Sequence, residues 1–128
     1  MSGRLVLPDT NILILVSQGK FDLTSLFGPY DDVLISVVSV AEALGFNFSN
    51  AAEESLLNDY FQDLTVLPFA EAEARFVIAY RKARRKVPFA DAAILATARA
   101  AGADLLTENL ADFRDRDPQV RLLSLADL

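Results

Sequence analysis

Five short β-branched or Leu-rich runs alternate with stretches of helical spacing along this chain: Arg4 to Leu7, Val33 to Val37, Leu64 to Leu67, Asp104 to Thr107 and Val120 to Leu125. Strands that read as nearly continuous apolar runs are buried on both faces, and strands of that kind alternating with helices imply a parallel α/β sheet. Between the runs, Ser39-Val40-Ala41-Glu42 fits a capping box that opens one helix at Ser39. Asn50 to Leu64 predicts a second helix. Ala70 to Arg85 predicts a third, with Ala74, Val77, Ile78 and Arg81 at helical spacing. Pro88 starts a fourth that runs through Ala98 and stops near Gly102, where a C-terminal glycine is expected. No repeat, low-complexity tract or linker interrupts the pattern, so one domain over residues 1–128 is expected.

Composition narrows the chemistry. The 128 residues are 52% hydrophobic and include no Cys, no His and no Trp. A chain of this length buries roughly 65 to 70% of its unfolded surface in a single core, so folding needs neither a disulfide nor a metal staple. The missing Cys and His exclude zinc fingers, iron–sulfur clusters, Cys or Ser–His nucleophile systems and every His-based proton shuttle. Carboxylates, hydroxyls, amides and cations remain. The apolar stretch Ile12 to Val16 follows Asp9 and is far shorter than the ~20 residues of a bilayer crossing, and no small-residue cleavage site follows it. A cytoplasmic protein without a membrane segment is expected.

Charge is uneven within the net of −6. Residues 21–74 hold ten acids and no base, whereas residues 75–128 hold ten bases against seven acids. Five of those ten bases stand together as Arg81, Lys82, Arg84, Arg85 and Lys86. Such a cluster suits the phosphates of RNA, and equally suits a solvated helix end whose cations complement the helix dipole.

In a parallel α/β sheet, ligands bind in the crevice outside the carboxyl ends of the strands. Pro8-Asp9-Thr10-Asn11 follows the first strand, Ser39 to Glu42 lies just beyond the second, and Thr107 to Phe113 follows the fourth. Asp91 stands in the first turn of the helix after the basic cluster. Each acid has a structural reading beside the functional one. Asp9 can cap the next helix, and Glu42 can be the acid of the capping box. Asn109 and Asp112 are ordinary turn residues. Asp91 is harder to place that way. It shares a helix face with Ile94, Leu95, Ala98 and Gly102, and an ionised carboxylate on an inward face must be neutralised, paired or metal-bound.

Carboxylates brought together without His select hard, oxygen-loving cations such as Mg²⁺ or Mn²⁺. That combination suits phosphodiester cleavage, because a divalent ion makes a water acidic enough to attack without a His base.

These residues carry a resemblance. Leu7-Pro8-Asp9-Thr10-Asn11, Ile35-Ser36 through Ser39 to Gly45, Val87-Pro88-Phe89-Ala90-Asp91 with the Ala-rich face that follows, and Thr107-Glu108-Asn109-Leu110-Ala111-Asp112-Phe113 together resemble the PIN-domain nucleases. The likeness is greatest to the VapC-type ribonuclease toxins of toxin–antitoxin pairs, and it spans essentially the whole chain. It implies a Rossmann-like parallel sheet of about five strands flanked by helices, and a Mg²⁺- or Mn²⁺-dependent endoribonuclease. By resemblance Asp9, Glu42 and Asp91 are the metal-site acids, with Asn109 or Asp112 completing the site and Asn11 and Thr107 in support. A small VapB-like antitoxin and a homodimer are implied as partners, and the acidic 21–74 segment suits a cationic one. Two departures stand out: Glu108 places an extra negative charge beside the motif, and Asn109 stands where some relatives carry Asp. A catalytically inactive PIN-like module that binds RNA or protein, and an RNA-processing nuclease without an antitoxin, are the alternatives. Receiver-type and haloacid-type phosphoryl chemistry is excluded, because Asp9 has no acidic neighbour, residue 11 is Asn, and no Lys follows Lys86.

Overall fold

Val6 and Leu7 are adjacent in sequence yet belong to different cores. They lie on the first of five strands in a computed structural model that describes residues 3–84 and 86–128. The strands are β1 (Leu5–Pro8), β2 (Asp32–Ser36), β3 (Thr65–Leu67), β4 (Asp104–Leu106) and β5 (Leu122–Leu123). All pairings are parallel, in the order β3-β2-β1-β4-β5. The helices are α1 (Thr10–Ser17), α2 (Val37–Leu44), α3 (Ala51–Asp63), α4 (Glu71–Ala83), α5 (Phe89–Ala101) and the short α6 (Leu110–Phe113).

Because successive strand side chains point to opposite faces, the continuous apolar runs feed two cores at once. Leu7, Leu34 and Leu105 pack with Val77 and Tyr80 of α4 and with Ala92 to Ala96 of α5. Val6, Val33, Ile35 and Leu106 pack on the other face with Ile12, Leu13 and Val16 of α1 and Leu57 of α3. Burial of each such large side chain contributes about 1.5–3 kcal/mol. The expected five-stranded parallel sheet is therefore present, and its strands are covered on both faces.

Helix ends follow local chemistry. Asn50 caps α3 by accepting from Glu53 N–H at 3.1 Å. Gly102 closes α5 in the left-handed conformation at φ 68°, a position that tolerates Gly best. From Ala92 to Ala98 every residue of α5 is buried, so this helix is enclosed at that level and its small side chains admit close neighbours. Asp91 is the residue just before the enclosed stretch.

The start of α2 differs from the expectation. The helix begins at Val37, directly after β2, and its cap is Ser36, whose Oγ accepts from Val38 N–H at 3.1 Å. Ser39 lies inside the helix and is fully buried. Two serines three residues apart both satisfy the capping rule locally, and the choice falls on the one where the strand ends. Glu42 is thus not a capping-box acid. Val37, grouped above with the second strand, is helical, and the fifth strand is shorter than its apolar run because only Leu122 and Leu123 pair with β4.

The sheet order places the site. The chain steps outward from β1 to β2 to β3 and then crosses to the other side of β1 with β4 and β5. The winding reverses between β1 and β4, and at such a reversal a crevice opens beyond the carboxyl ends of the strands.

Candidate active site

Asp9 begins where β1 ends. Its N–H donates to Leu106 O at 2.9 Å, which ties it to the end of β4, and the side chain is only 4% exposed. One carboxylate oxygen accepts from Ile12 N–H at 3.0 Å and so caps α1; the other accepts from Thr107 Oγ1 at 2.5 Å. The capping role anticipated for Asp9 is present, and it leaves the carboxylate facing the crevice as well. Burial raises its pKa, hydrogen bonds from Thr107, Ile12 and Asn11 oppose the rise, and the charge of Glu42 adds to it.

A cavity of about 100 Å³ opens at this point, lined by Asp9, Thr10, Asn11, Glu42, Asp91, Ile94 and Asn109. Its residues come from the β1–α1 junction, from α2, from the first turns of α5 and from the loop after β4. Glu42 is exposed, and its Oε1 accepts from Thr10 Oγ1 at 2.6 Å. Asp91 is half-buried. Its pKa is raised first by burial and then by the charges of Asp112, Glu42 and Asp9, with Arg116 pulling the other way. Three other carboxylates therefore stand near enough to disfavour the ionisation of Asp91. Asn109 is half-buried; its N–H donates to Thr107 Oγ1 at 2.9 Å and its Nδ2 to Asp112 at 2.5 Å. Asn109 lines the cavity, whereas Asp112 sits behind it on α6, exposed, at the rim. Thr107 is buried and acts through Asp9 and Asn109 rather than through the cavity wall.

The donor set is one of hard oxygens with like charge, the chemistry that a Mg²⁺-like cation relieves. Among the described residues, however, no three acidic side chains are drawn in tightly enough to grip one ion directly. That spacing fits a cation that keeps several waters and takes only one or two protein carboxylates, which is the habit of Mg²⁺. It does not fit a closed protein cage.

Three features depart from the sequence reading. Glu108 points away from the cavity: its Oε1 accepts from Leu125 N–H at 3.0 Å, and neither Asp9 nor Asp91 feels its charge. Arg81 and Lys82 end α4, and Arg84 and Lys86 follow in the link to α5; all four are exposed, none lines the cavity, and Arg85 lies outside the described residues. Among the described residues, the cation whose charge reaches Asp91 is Arg116, whose Nε donates to the carbonyl oxygen of Asp112. Its spacing of four residues from Asp112 was the available signal. Thr10 was passed over too, because its partners Ser39 and Glu42 lie on another helix.

The fold recurs in solved structures of bacterial complexes. VapBC2 from Rickettsia felis bound to a DNA fragment from its promoter has 20% identity and a TM-score of 0.78, over 94% of this chain and 98% of that one. A toxin–antitoxin complex from Klebsiella pneumoniae has 25% identity and a TM-score of 0.73, over 90% and 94%. DNA-bound VapBC from Salmonella typhimurium has 22% identity and a TM-score of 0.76, over 94% and 98%. No curated protein sequence matches the chain. The sequence pattern of the PIN domain matches residues 6–117, a span that begins in β1, takes in every wall of the cavity and ends at Asp117, and the chain belongs to the PIN-domain family.

Proposed function

We propose that this chain is a Mg²⁺- or Mn²⁺-dependent endoribonuclease, the toxin of a VapBC-type toxin–antitoxin pair. The observation that carries the reading is the convergence of Asp9, Glu42, Asp91 and Asn109, from four separate segments, on one small polar cavity at the reversal of the sheet. Asp9, Glu42 and Asp91 are the proposed metal-site acids, one or two holding the ion directly and the rest through its waters, and Asp112 is the proposed fourth, reached through Asn109. A divalent ion bound there would neutralise phosphate charge and lower the pKa of water.

The chain's own groups do the rest. Thr107 donates to Asp9 and so keeps that carboxylate oriented and offsets part of the cost of its burial. Asn109 offers an amide at the wall, and its Nδ2 holds Asp112 near Asp91. Asn11 presents a neutral polar side chain that can orient water or substrate without adding charge. Ile94 closes the wall with apolar surface and limits access of bulk water. Arg116 supplies a positive charge beside Asp91 that is suited to the scissile phosphate or its neighbour. Arg81, Lys82, Arg84, Arg85 and Lys86 are the proposed RNA-binding cations, with a salt-dependent affinity.

A small antitoxin is the proposed partner, on the analogy of the toxin–antitoxin complexes that share the fold. The run of ten acids without a base, with Phe46 and Leu56 exposed among them, suits a cationic amphipathic segment. A homodimer and a cytoplasmic location belong to the same proposal. A second reading has one observation in its favour: the acids are not drawn in as a closed ligand set, as expected of a PIN-like module that binds RNA or protein without cutting.

Incubating the protein with a mixed RNA pool in Mg²⁺ or Mn²⁺, in chelator, and as Asp91→Asn separates the two. Metal-dependent products with 5′-phosphate ends that vanish in the variant support the nuclease. A folded wild type that neither cuts nor binds a divalent ion in calorimetry supports the binding module.

A further inference from the structure

Glu42 is the exposed member of the acidic set, and a free glutamate on a helix surface samples many rotamers. Here it is held. Thr10, the first residue of α1, places Oγ1 2.6 Å from Glu42 Oε1 and 3.2 Å from Ser39 Oγ. Ser39 and Glu42 are three residues apart on α2 and so lie on one face of that helix, the face turned toward Thr10. A threonine hydroxyl has one hydrogen to give. An ionised carboxylate only accepts, so the hydrogen of Thr10 goes to Glu42, and the fully buried Ser39 hydroxyl is left to donate back to Thr10. The pair forms a short directed chain of hydroxyls that starts in the packed α1–α2 contact and ends on a carboxylate of the cavity.

Resting on the reading of the cavity as a divalent-metal site, we propose that the Thr10–Ser39 hydroxyl pair is a positioning device that fixes Glu42 toward the cavity and thereby sets the affinity for the cation. Thr10 is a positioning residue; it acts through Glu42. Its place next to Asp9 couples the two acids, since Asp9 caps the helix on which Thr10 is the first residue.

Mn²⁺ binding to the intact protein, measured by calorimetry without RNA, tests this. Thr10→Val removes the donor and keeps the shape, and should weaken Mn²⁺ binding about tenfold, the lower range for loss of a group that orients a ligand. Thr10→Ser should restore it. Ser39→Ala should weaken it less than Thr10→Val, because Thr10 can still donate to Glu42. In a Glu42→Gln background, Thr10→Val should change the affinity by no more than about twofold, since the group it orients no longer carries charge. If Thr10→Val does not fold, Thr10→Ala takes its place in the same series. Wild-type binding with an unchanged Thr10→Val, or a Thr10→Val loss that persists in full beside Glu42→Gln, overturns the positioning role and leaves the metal site standing. A wild type that binds no Mn²⁺ overturns the metal reading and this inference with it.

Discussion

Asp117 and Asp91 are both sheltered acids, and the fold treats them in opposite ways. Asp117 is 8% exposed and fully engaged: it accepts from Tyr80 Oη at 2.5 Å, from Arg99 at 2.9 and 3.1 Å, and from Gln119 N–H at 3.0 Å. Burial pushes its pKa up, but Tyr80, the Gln119 amide and Arg99 together outweigh that and hold it below the usual value. Among the described residues Asp91 has burial without such partners, and the charges near it are mostly negative, so its pKa is raised. The first arrangement ties the segment after α6 to α4 and α5, with the Arg99 guanidinium also stacked 4.9 Å over Phe76. The second stores unfavourable electrostatics in a cavity. A chain that satisfies one buried carboxylate so completely does not leave its neighbours unsatisfied for want of cations, since Arg114 and Arg116 are close in sequence. Under the proposed function, Asp91 is the acid whose charge is left for a cation.

The contrast is sharpest in Asp91→Asn. Losing one carboxylate from the proposed metal site should lower RNA cleavage about 10³-fold, the equivalent of several kcal/mol of charge stabilisation. The same variant, kept in chelator, should unfold at higher denaturant than wild type, because a desolvated negative charge facing three others has been removed. Equilibrium unfolding alongside the cleavage assay checks both. A variant that loses activity and stability together would mean that Asp91 is paired after all.

Asp117→Ala should do the reverse. It leaves Arg99 and Tyr80 without their acceptor and should cost about 3 kcal/mol, the low end for breaking a buried pair because Arg99 is partly exposed. Cleavage per folded molecule should be unchanged. The pH dependence separates the two acids further. The folded pKa of Asp117 is depressed, so its stabilising contribution is present above 3.8, the ordinary value, and is lost as pH falls through the folded pKa. For Asp91 and Asp9 the folded pKa is raised, so their cost is absent below 3.8 and grows as pH rises through the folded values. Unfolding midpoints measured against pH in chelator should show a flatter acid limb in Asp117→Ala and a flatter decline toward neutral pH in Asp91→Asn.

How much of this was visible in the residues alone depends on how far apart the partners lie. The sheet was legible because strand burial on both faces is written into consecutive residues such as Leu34-Ile35 and Leu105-Leu106. Asp91 was legible because its helix face is set by spacing within one helix. The capping role of Asp9 was legible for the same local reason. Glu42 was given the wrong structural role, because Ser36 and Ser39 are equivalent to a local rule and only the end of β2 decides between them. The partnership of Thr10 with Glu42 spans 32 residues, and the Tyr80–Asp117–Arg99 cluster joins α4, α5 and the segment after α6. No spacing within one element encodes either. Arg116 falls between these cases: its distance from Asp112 is local, but its approach to Asp91 depends on where α6 docks on α5.

Thr107 extends the comparison to Asp9, which lies between the two extremes. It is as buried as Asp117, yet it has one side-chain donor where Asp117 has two. Thr107→Val removes that donor, should raise the Asp9 pKa further, and should weaken Mn²⁺ binding about 10- to 100-fold, the usual range for loss of a group that orients a ligand. Calorimetry across pH checks this, and the loss should be greatest at the acid end, where Asp9 would now be protonated. A uniform loss at all pH values would indicate a packing defect instead.

The smallest effect is expected where charge is fully solvated. Arg84 and Lys86 lie in the exposed link between α4 and α5 and perturb neither Asp9 nor Asp91, so their removal should leave metal binding and fold untouched. If they contact RNA phosphates, Arg84→Ala with Lys86→Ala should weaken binding to all sequences alike. The slope of log affinity against log salt should then fall by about 1.4, at about 0.7 per contact on a single strand. Measured in an Asp91→Asn background, where RNA is bound without being cut, this isolates the electrostatic contribution. An unchanged slope would make the link a solvated helix end, and Arg116 would become the cation through which the site meets its phosphate.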